Sequence, residues 1–354
     1  MNVSDFDFEL PEELIAQFPS EQRGGSRLLV VHGDGRIDDA MFSELGRYVV
    51  PGDLLVLNNT RVFPARLLGK RIPSGGSVEC LLLNERPNSS DERSSSAWEA
   101  VVHPGQKLKP GAQMLFERDG VRIHGEIAAM HFQGRRTVRL ATEYPAGLSA
   151  AIDSVGHIPL PPYIKRADAP SDRDRYQTIY ARERGSVAAP TAGLHFTNGQ
   201  LDALTSHGIE RVEITLHVGY GTFKPVKAER VEDHVVDAER FTVSAAAAAA
   251  LTRAKRERRR VIAVGTTTVR SLESLTVTPD GEVLAGNGDT TLFIRPGHRF
   301  QLVNGMVTNF HLPKSSLLML VSALATRERI LNAYKHAVAR RYRFYSYGDA
   351  MLIL

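Results

Sequence analysis

The stretch RVIAVGTTTVRSLESL, residues 260–275, decides the fold. Val261 to Val264 form a short apolar run of the kind that a buried strand carries. Gly265 permits a tight turn, and three threonines then open a helix. A strand that feeds a helix through a glycine is half of a β–α–β unit, and the same alternation extends on both sides. Upstream, LDALTSHGIE (201–210) reads as a short helix ending at Gly208. RVEITLHVG (211–219) reads as a strand with Val212, Ile214, Leu216 and Val218 on one face and Thr215 and His217 on the other. SAAAAAALTRAKRERR (244–259) is a helix that Ser244 caps. Downstream, GMVTNFHL (305–312) is a strand, and residues 314–342 are helical. The fold class expected is α/β, with a mostly parallel sheet.

The texture differs between about residues 67 and 150. VECLLLN, AWEAVVH, AQMLFE, VRIHGEIAAM and RRTVRL are short strand-like runs broken by glycine, proline and serine. Such spacing predicts a small β-barrel or sandwich. RPNSSDERSSS (86–96) reads as a flexible loop between two of its strands, and GHIPLPPYIKRAD (156–168) as a proline-rich exit. The expected organisation is a main domain of residues 1–66 and 151–354 with a barrel of residues 67–150 inserted in it.

The chain has 354 residues, of which 42% are hydrophobic, a globular composition. It shows no apolar run long enough to span a membrane. Its start, MNVSDFDFELPEEL, is acidic and does not read as a signal peptide. The single cysteine, Cys80, cannot form an intrachain disulfide. A cytoplasmic location is therefore expected. The net charge of +4 permits a nucleic-acid partner without requiring one. RAKRERRR (253–260) carries six Lys/Arg against one Glu, which suits either an RNA contact or the C-terminus of a helix. In residues 327–349, Arg341, Arg343 and further cations alternate with Tyr342, Phe344, Tyr345 and Tyr347. Cations for phosphates and rings for unstacked bases are what RNA binding uses.

Three histidines share one context. His195 in APTAGLHFT, His217 in TLHVGYGTF and His311 in TNFHLPKSS each lie between two apolar residues, with glycine or proline close by. The pattern places each at the end of a strand, facing away from the surface its neighbours bury. Each ring is then either a hydrogen-bonded core histidine or part of one shared site. GTTTVR, with Gly265, Thr266, Thr267, Thr268 and Arg270, is either a capped turn or an anion site at a helix start. The pair Gly219 and Gly221 would let backbone approach a ligand. Glu232, Asp233, His234, Asp237 and Glu239 cluster, but no His-Glu-x-x-His motif or cysteine pair supports zinc, so no metal is expected. On residues alone, an enzyme acting on RNA or a small anion and a non-catalytic RNA-binding module both remain open.

Several longer stretches narrow this. DFDFELPEELIAQFP, GDLLVLNNTRVFPARL, VGHIPLPPYI, YQTIYA, VAAPTAGLHFT, TLHVGYGTFKPV, VIAVGTTTVRSLES, MVTNFHLPKSSLLMLVSAL and YRFYSYGDAMLI run from about Phe6 to Ile353. In that order they resemble the S-adenosylmethionine:tRNA ribosyltransferase-isomerase family of the queuosine pathway. The resemblance implies an α/β domain with an inserted barrel, and tRNA bearing 7-aminomethyl-7-deazaguanine at the wobble position as acceptor. It implies S-adenosylmethionine as ribosyl donor and co-substrate, no other cofactor, and a monomer. Adenine and methionine would leave, and the ribose would become the epoxycyclopentanediol of epoxyqueuosine.

His195, His217 and His311 are then the catalytic candidates, since histidine exchanges protons near neutral pH. They are expected in one cleft, with Phe223 and Asn309 nearby. Substrate contacts are expected from Thr191, Gly193, Phe196, Gly219, Gly221, Thr222, Phe223, Gly265, Thr266, Thr267, Thr268, Arg270, Asn309 and Lys314. Among these, GTTTVR would hold the methionine carboxylate, and Phe196 and Phe223, with Tyr220, are candidates to face adenine. tRNA contacts are expected from Arg341, Arg343 and Tyr345. One position departs from the pattern: Asp237 stands where the family usually shows a histidine, although His234 and Glu239 match.

Overall fold

The computed structural model describes residues 1–86, 93–223 and 226–354, without the side chains of Gln133, Thr222 and Phe223. Most of the serine-rich loop expected over 86–96 lies outside the described residues. The chain begins with β1 (Arg27–Val31), β2 (Ile37–Met41), β3 (Leu54–Asn58) and β4 (Thr60–Val62). Next come β5 (Arg66–Ile72), β6 (Ser77–Glu85), β7 (Ser95–His103), β8 (Gln113–Arg118), β9 (Val121–Met130), β10 (Arg135–Ala141) and α1 (Leu148–Val155). They are followed by α2 (Asp172–Arg175), β11 (Glu183–Ser186), α3 (Asn198–Ser206), β12 (Glu210–Leu216), β13 (Glu239–Val243) and α4 (Ala245–Arg256). The last part holds β14 (Val261–Val264), α5 (Thr266–Glu273), β15 (Gly286–Thr290), β16 (Gly305–Asn309), α6 (Ser316–Leu324), α7 (Arg327–Ala339) and β17 (Ala350–Ile353).

Nine strands form the main sheet, in the order β15-β13-β12-β3-β14-β16-β17-β1-β2. The quartet β12-β3-β14-β16 is parallel throughout. Outside it the sheet is mixed rather than mostly parallel: β13 and β15 run antiparallel on one side, and β17 and β2 make antiparallel pairs on the other. Connection length explains β2, because residues 32–36 are too few for a crossover. Alternate residues of each central strand enter opposite cores. Leu54, Val56, Val261 and Ala263 pack on one face, and Leu55, Leu57, Ile262 and Val264 on the other. Burial on both faces is why these strands read as unbroken apolar runs.

Strands β5 to β10 close into a six-stranded barrel. Val78, Cys80, Leu82, Trp98, Ala100, Met114, Phe116, Ile123, Val138 and Leu140 fill its interior, and Leu148, Ala151, Ile152 and Val155 of α1 pack into the same core. Helix α1 therefore goes with the barrel. The chain enters and leaves at one place, where Arg66 and His157 exchange backbone hydrogen bonds of 3.2 and 2.9 Å. The neck is tight: a Cβ added at Gly156 would stand 2.0 Å from the Pro64 carbonyl oxygen.

The helical stretch 314–342 is two helices. Thr326 separates them, its hydroxyl accepting from Arg329 N at the start of α7. Ser244 caps α4 by accepting from Ala247 N. The arginines that follow are engaged on the protein: Arg253 and Arg259 pair with Glu210, and Arg260 pairs with Asp53.

Asn58, fully buried at the end of β3, ties neighbouring elements together. Its Oδ1 accepts from Leu216 N (3.0 Å) and Thr60 N (3.1 Å). Its Nδ2 donates to the Leu216 carbonyl (3.0 Å) and reaches Thr267 Oγ1 at 3.5 Å.

Replacing Asn58 by Leu should cost about 1–3 kcal/mol for each buried backbone group left without a partner. Urea unfolding checks this, and an unchanged midpoint would mean that water takes over the amide's role. Gly199→Ala should do the opposite. It lies in α3 with nothing within 4 Å of an added Cβ, so the change should raise stability by up to about 1 kcal/mol.

Candidate active site

A cavity of about 300 Å³ opens where β14 and β16 end. That is at the lower end of the range for small-molecule sites, and the carboxyl ends of parallel strands are where α/β sheets bind ligands. The turn from β14 into α5 forms one wall through Gly265, Thr266 and Thr267. Gly265 has φ +92°, a conformation that favours glycine, and its N–H bonds the Val307 carbonyl at 2.8 Å. Thr268 faces inward instead, its hydroxyl donating to the Val264 carbonyl at 2.7 Å. The last residue of β16, Asn309, and the segment after it, with Phe310, His311 and Lys314, supply another wall. Thr191, from the turn Thr191–His195, closes another side.

Two tyrosines complete the cavity. Tyr163 and Tyr345 stack with centroids 4.3 Å apart and planes 26° apart, and both line it. The Tyr163 hydroxyl and Ser346 Oγ share a 2.6 Å hydrogen bond. Tyr345 has φ +71°, an outlier for a bulky side chain, of a kind that clusters at functional sites. Sequence reasoning missed Tyr163, which sits in the proline-rich exit PPYIKRAD. The aromatic ring in that segment was the available signal.

The three histidines occupy three different places. His311 lines the cavity and donates or accepts at 2.9 Å with Thr308 Oγ1, while its backbone N–H bonds the Tyr334 hydroxyl. Burial pushes its pKa down to about 3. His195 ends a single 3₁₀ turn, not a strand, and stands behind Asn309. Its Nδ1 meets Ser26 Oγ at 2.7 Å and its Nε2 meets Asn309 Nδ2 at 3.1 Å. Burial lowers its pKa to about 4; Asp349 opposes that shift, and Arg343 and Arg23 add to it. His217 directly follows β12, as its pattern predicts, but its Nδ1 bonds Thr60 Oγ1 at 2.8 Å and its ring packs on Gly185. Among the described residues, His311 alone of the three borders the cavity; the other two rings are held against other elements.

The remaining positions divide in the same way. Thr191, Gly265, Thr266, Thr267, Asn309 and Lys314 border the cavity. Lys314 also pairs with Asp7 at 2.7 Å. Gly193 is a packing glycine, since an added Cβ would stand 2.2 Å from the Tyr180 hydroxyl. Phe196 is fully buried, edge-on to Phe42 at 4.9 Å, so it has no face free for adenine. Gly219 N–H donates to Glu239 Oε1 at 3.2 Å. The side chains of Thr222 and Phe223 lie outside the described residues.

Arg270 is spent inside the protein: it pairs with Glu239 and donates to the Leu292 and Thr290 carbonyls. It borders a second cavity of about 680 Å³, together with Gly221, Asp233, His234, Asp237 and Glu239. Ser316 and Leu317 line both cavities, so the start of α6 separates them. Asp237 abuts Gly221 and pairs with Arg135 of the barrel at 3.0 Å, which gives the unusual residue a structural partner.

The C-terminal aromatics are buried, and Tyr345 lines the cavity. Tyr342, Phe344, Tyr345 and Tyr347 are at most 5% exposed. Their spacing reflects packing between α7 and the sheet. Arg341 is exposed, 3.8 Å from Glu13, and Arg343 is half-buried beside Asp349.

Residues 3–353 match the family described as queuosine biosynthesis protein. The S-adenosylmethionine:tRNA ribosyltransferase-isomerase of Carboxydothermus hydrogenoformans is 51% identical over 355 residues, covering 100% of both chains. That of Desulfitobacterium hafniense is 48% identical over 355 residues with the same coverage. The crystal structure of S-adenosylmethionine tRNA ribosyltransferase from Thermotoga maritima is 36% identical, covers 99% of this chain and 100% of its own, and superposes with a TM-score of 0.55. With its sheet, its inserted barrel and its full length matched in this way, the chain belongs to the queuosine biosynthesis protein family.

Proposed function

We propose that this chain transfers and isomerises the ribosyl moiety of S-adenosylmethionine onto 7-aminomethyl-7-deazaguanine at the wobble position of tRNA. Epoxyqueuosine-tRNA, adenine and methionine are the products. The observation that carries the reading is the cavity in which the start of α5, His311 and the stacked Tyr163–Tyr345 pair meet. The names of the full-length relatives support the choice of donor and acceptor.

Each part of the cavity has a task in this chemistry. The N–H groups that open α5, with Lys314, suit the methionine carboxylate. His311 is the base toward the ribose 5′ carbon. Its Nε2 shares a 2.9 Å hydrogen bond with the Thr308 hydroxyl, which holds the ring in place. His217 serves as a strut between Thr60 and Gly185. On the outer surface, Arg341 and Arg343 contact the tRNA backbone.

Adenine release from S-adenosylmethionine, dependent on tRNA bearing the aminomethyl base, tests the reading directly. A labelled donor methyl group should stay in methionine; label reaching the RNA would make the protein a methyltransferase. His311→Asn should lower turnover by about 10²–10⁴-fold, the usual share of one proton-transfer group. Turnover at the level of the unaltered protein would remove His311 from the chemistry. Arg341→Ala with Arg343→Ala should flatten the salt dependence of tRNA binding, lowering the slope of log K against log salt by roughly one for each phosphate no longer neutralised.

A pH prediction follows from the two buried rings. Both pKa values lie below the ordinary histidine value, so the unfolded chain binds more protons between about pH 6.5 and the folded values of about 4 and about 3. Stability should fall as pH falls through that window, by about 2 kcal/mol for each ring at pH 5. Replacing either ring by a residue that does not titrate should remove its share, measured as the change in the urea midpoint between pH 7 and pH 5.

A further inference from the structure

The bonding around Asn309 can be worked out from one carbonyl. Asn309 Nδ2 lies 3.0 Å from the Tyr345 carbonyl oxygen, which only accepts, so the atom facing it is the amide nitrogen. The second hydrogen of that nitrogen goes to His195 Nε2 at 3.1 Å. His195 Nε2 is therefore an acceptor, its proton sits on Nδ1, and Nδ1–H donates to Ser26 Oγ at 2.7 Å. Ser26, His195 and Asn309 are all buried, so no water competes for these bonds. The chain of bonds commits both amide hydrogens away from the ligand and turns Asn309 Oδ1 the other way.

That oxygen is sealed from water and has no hydrogen-bond partner among the described residues. The Tyr345 hydroxyl is in the same position. Both residues line the cavity of about 300 Å³. The Tyr176 hydroxyl is a third such atom on a lining residue. Leaving a buried polar atom unpaired costs about 1–3 kcal/mol, so three on one cavity mark where a ligand's polar groups belong. Asn309 Oδ1 only accepts and the two hydroxyls can donate, and the flanking walls are Ala188, Ala189, Val218 and Phe310. Among the described residues, no Asp or Glu lines the cavity. A neutral aminopurine edge, with an N–H donor beside a ring-nitrogen acceptor, matches the pair Asn309 and Tyr345.

We infer that Asn309 Oδ1 and the Tyr345 hydroxyl read the aminopurine edge of the donor's adenine, and that His195 is a positioning residue that holds the Asn309 amide in the reading orientation. This rests on the proposed use of S-adenosylmethionine. It gives His195 a role in selecting the base rather than in moving a proton of the reaction.

The test compares S-adenosylmethionine with its deaminated counterpart, in which hypoxanthine replaces adenine and the amine becomes a carbonyl. Affinity is read by equilibrium dialysis and kcat/KM with modified tRNA. The unaltered protein should prefer the adenine donor roughly 10- to 100-fold, the penalty of one buried acceptor facing another. In Asn309→Leu and in His195→Phe that preference should fall to within about twofold, whereas His195→Gln, which retains an acceptor, should keep most of it. Equal use of both donors by the unaltered protein overturns the assignment without any variant having to fold. Full preference persisting in His195→Phe overturns the positioning role. Absence of base release from both donors, adenine from the one and hypoxanthine from the other, overturns the proposed function instead.

Discussion

The cavity depends on one buried amide. Asn58 stands where β3 stops, and a strand that stops leaves its neighbour's backbone groups without partners. The side-chain amide carries a donor and an acceptor spaced like those of a peptide, so it continues the ladder for one more residue. It bonds both backbone groups of Leu216 and reaches the threonine at the start of α5. β3 can therefore end without its neighbours fraying, and the space beyond its tip can stay open. The turn at Gly265 and the segment after Leu216 both take their positions from this arrangement.

The same economy governs charge. Two arginines beside the neighbouring cavity are committed to carboxylates: Arg270 to Glu239, and Arg135 to Asp237 and Glu99. Burial keeps His195 and His311 neutral at ordinary pH. Lys314 is the one charged residue on the described cavity lining, and it is partly balanced by Asp7. The site therefore carries little fixed charge of its own.

Much of this was legible in the chain itself. The buried strands β3, β14 and β16 show as apolar runs, β12 as an alternating one, and the barrel as short runs broken by turn residues, because these are local patterns. The direction of the outer strands was not legible, since pairing of β17 with β16 joins segments separated by two helices. The histidines show the same limit. Their shared apolar flanks do report burial, but burial against which element is a tertiary fact. His217 turns to Thr60 and His195 hides behind Asn309. Aromatics alternating with arginine at the C-terminus look like an RNA surface and are buried, because they lie in the irregular segment between α7 and β17, where sequence carries no period that reports which side chains turn inward. Tyr163 joined the site from a segment with no periodicity at all.

The neck at Arg66 and His157 bears on how the molecule assembles. The inserted barrel packs almost wholly on itself, so it can form early. Once it has, two points about ninety residues apart in sequence are held side by side, and the loop that the main sheet must close shortens by that amount. Strands β4 and β11, which pair across this gap, then meet as near neighbours. The insertion thus serves the sheet as a folding clip, in addition to whatever surface it offers.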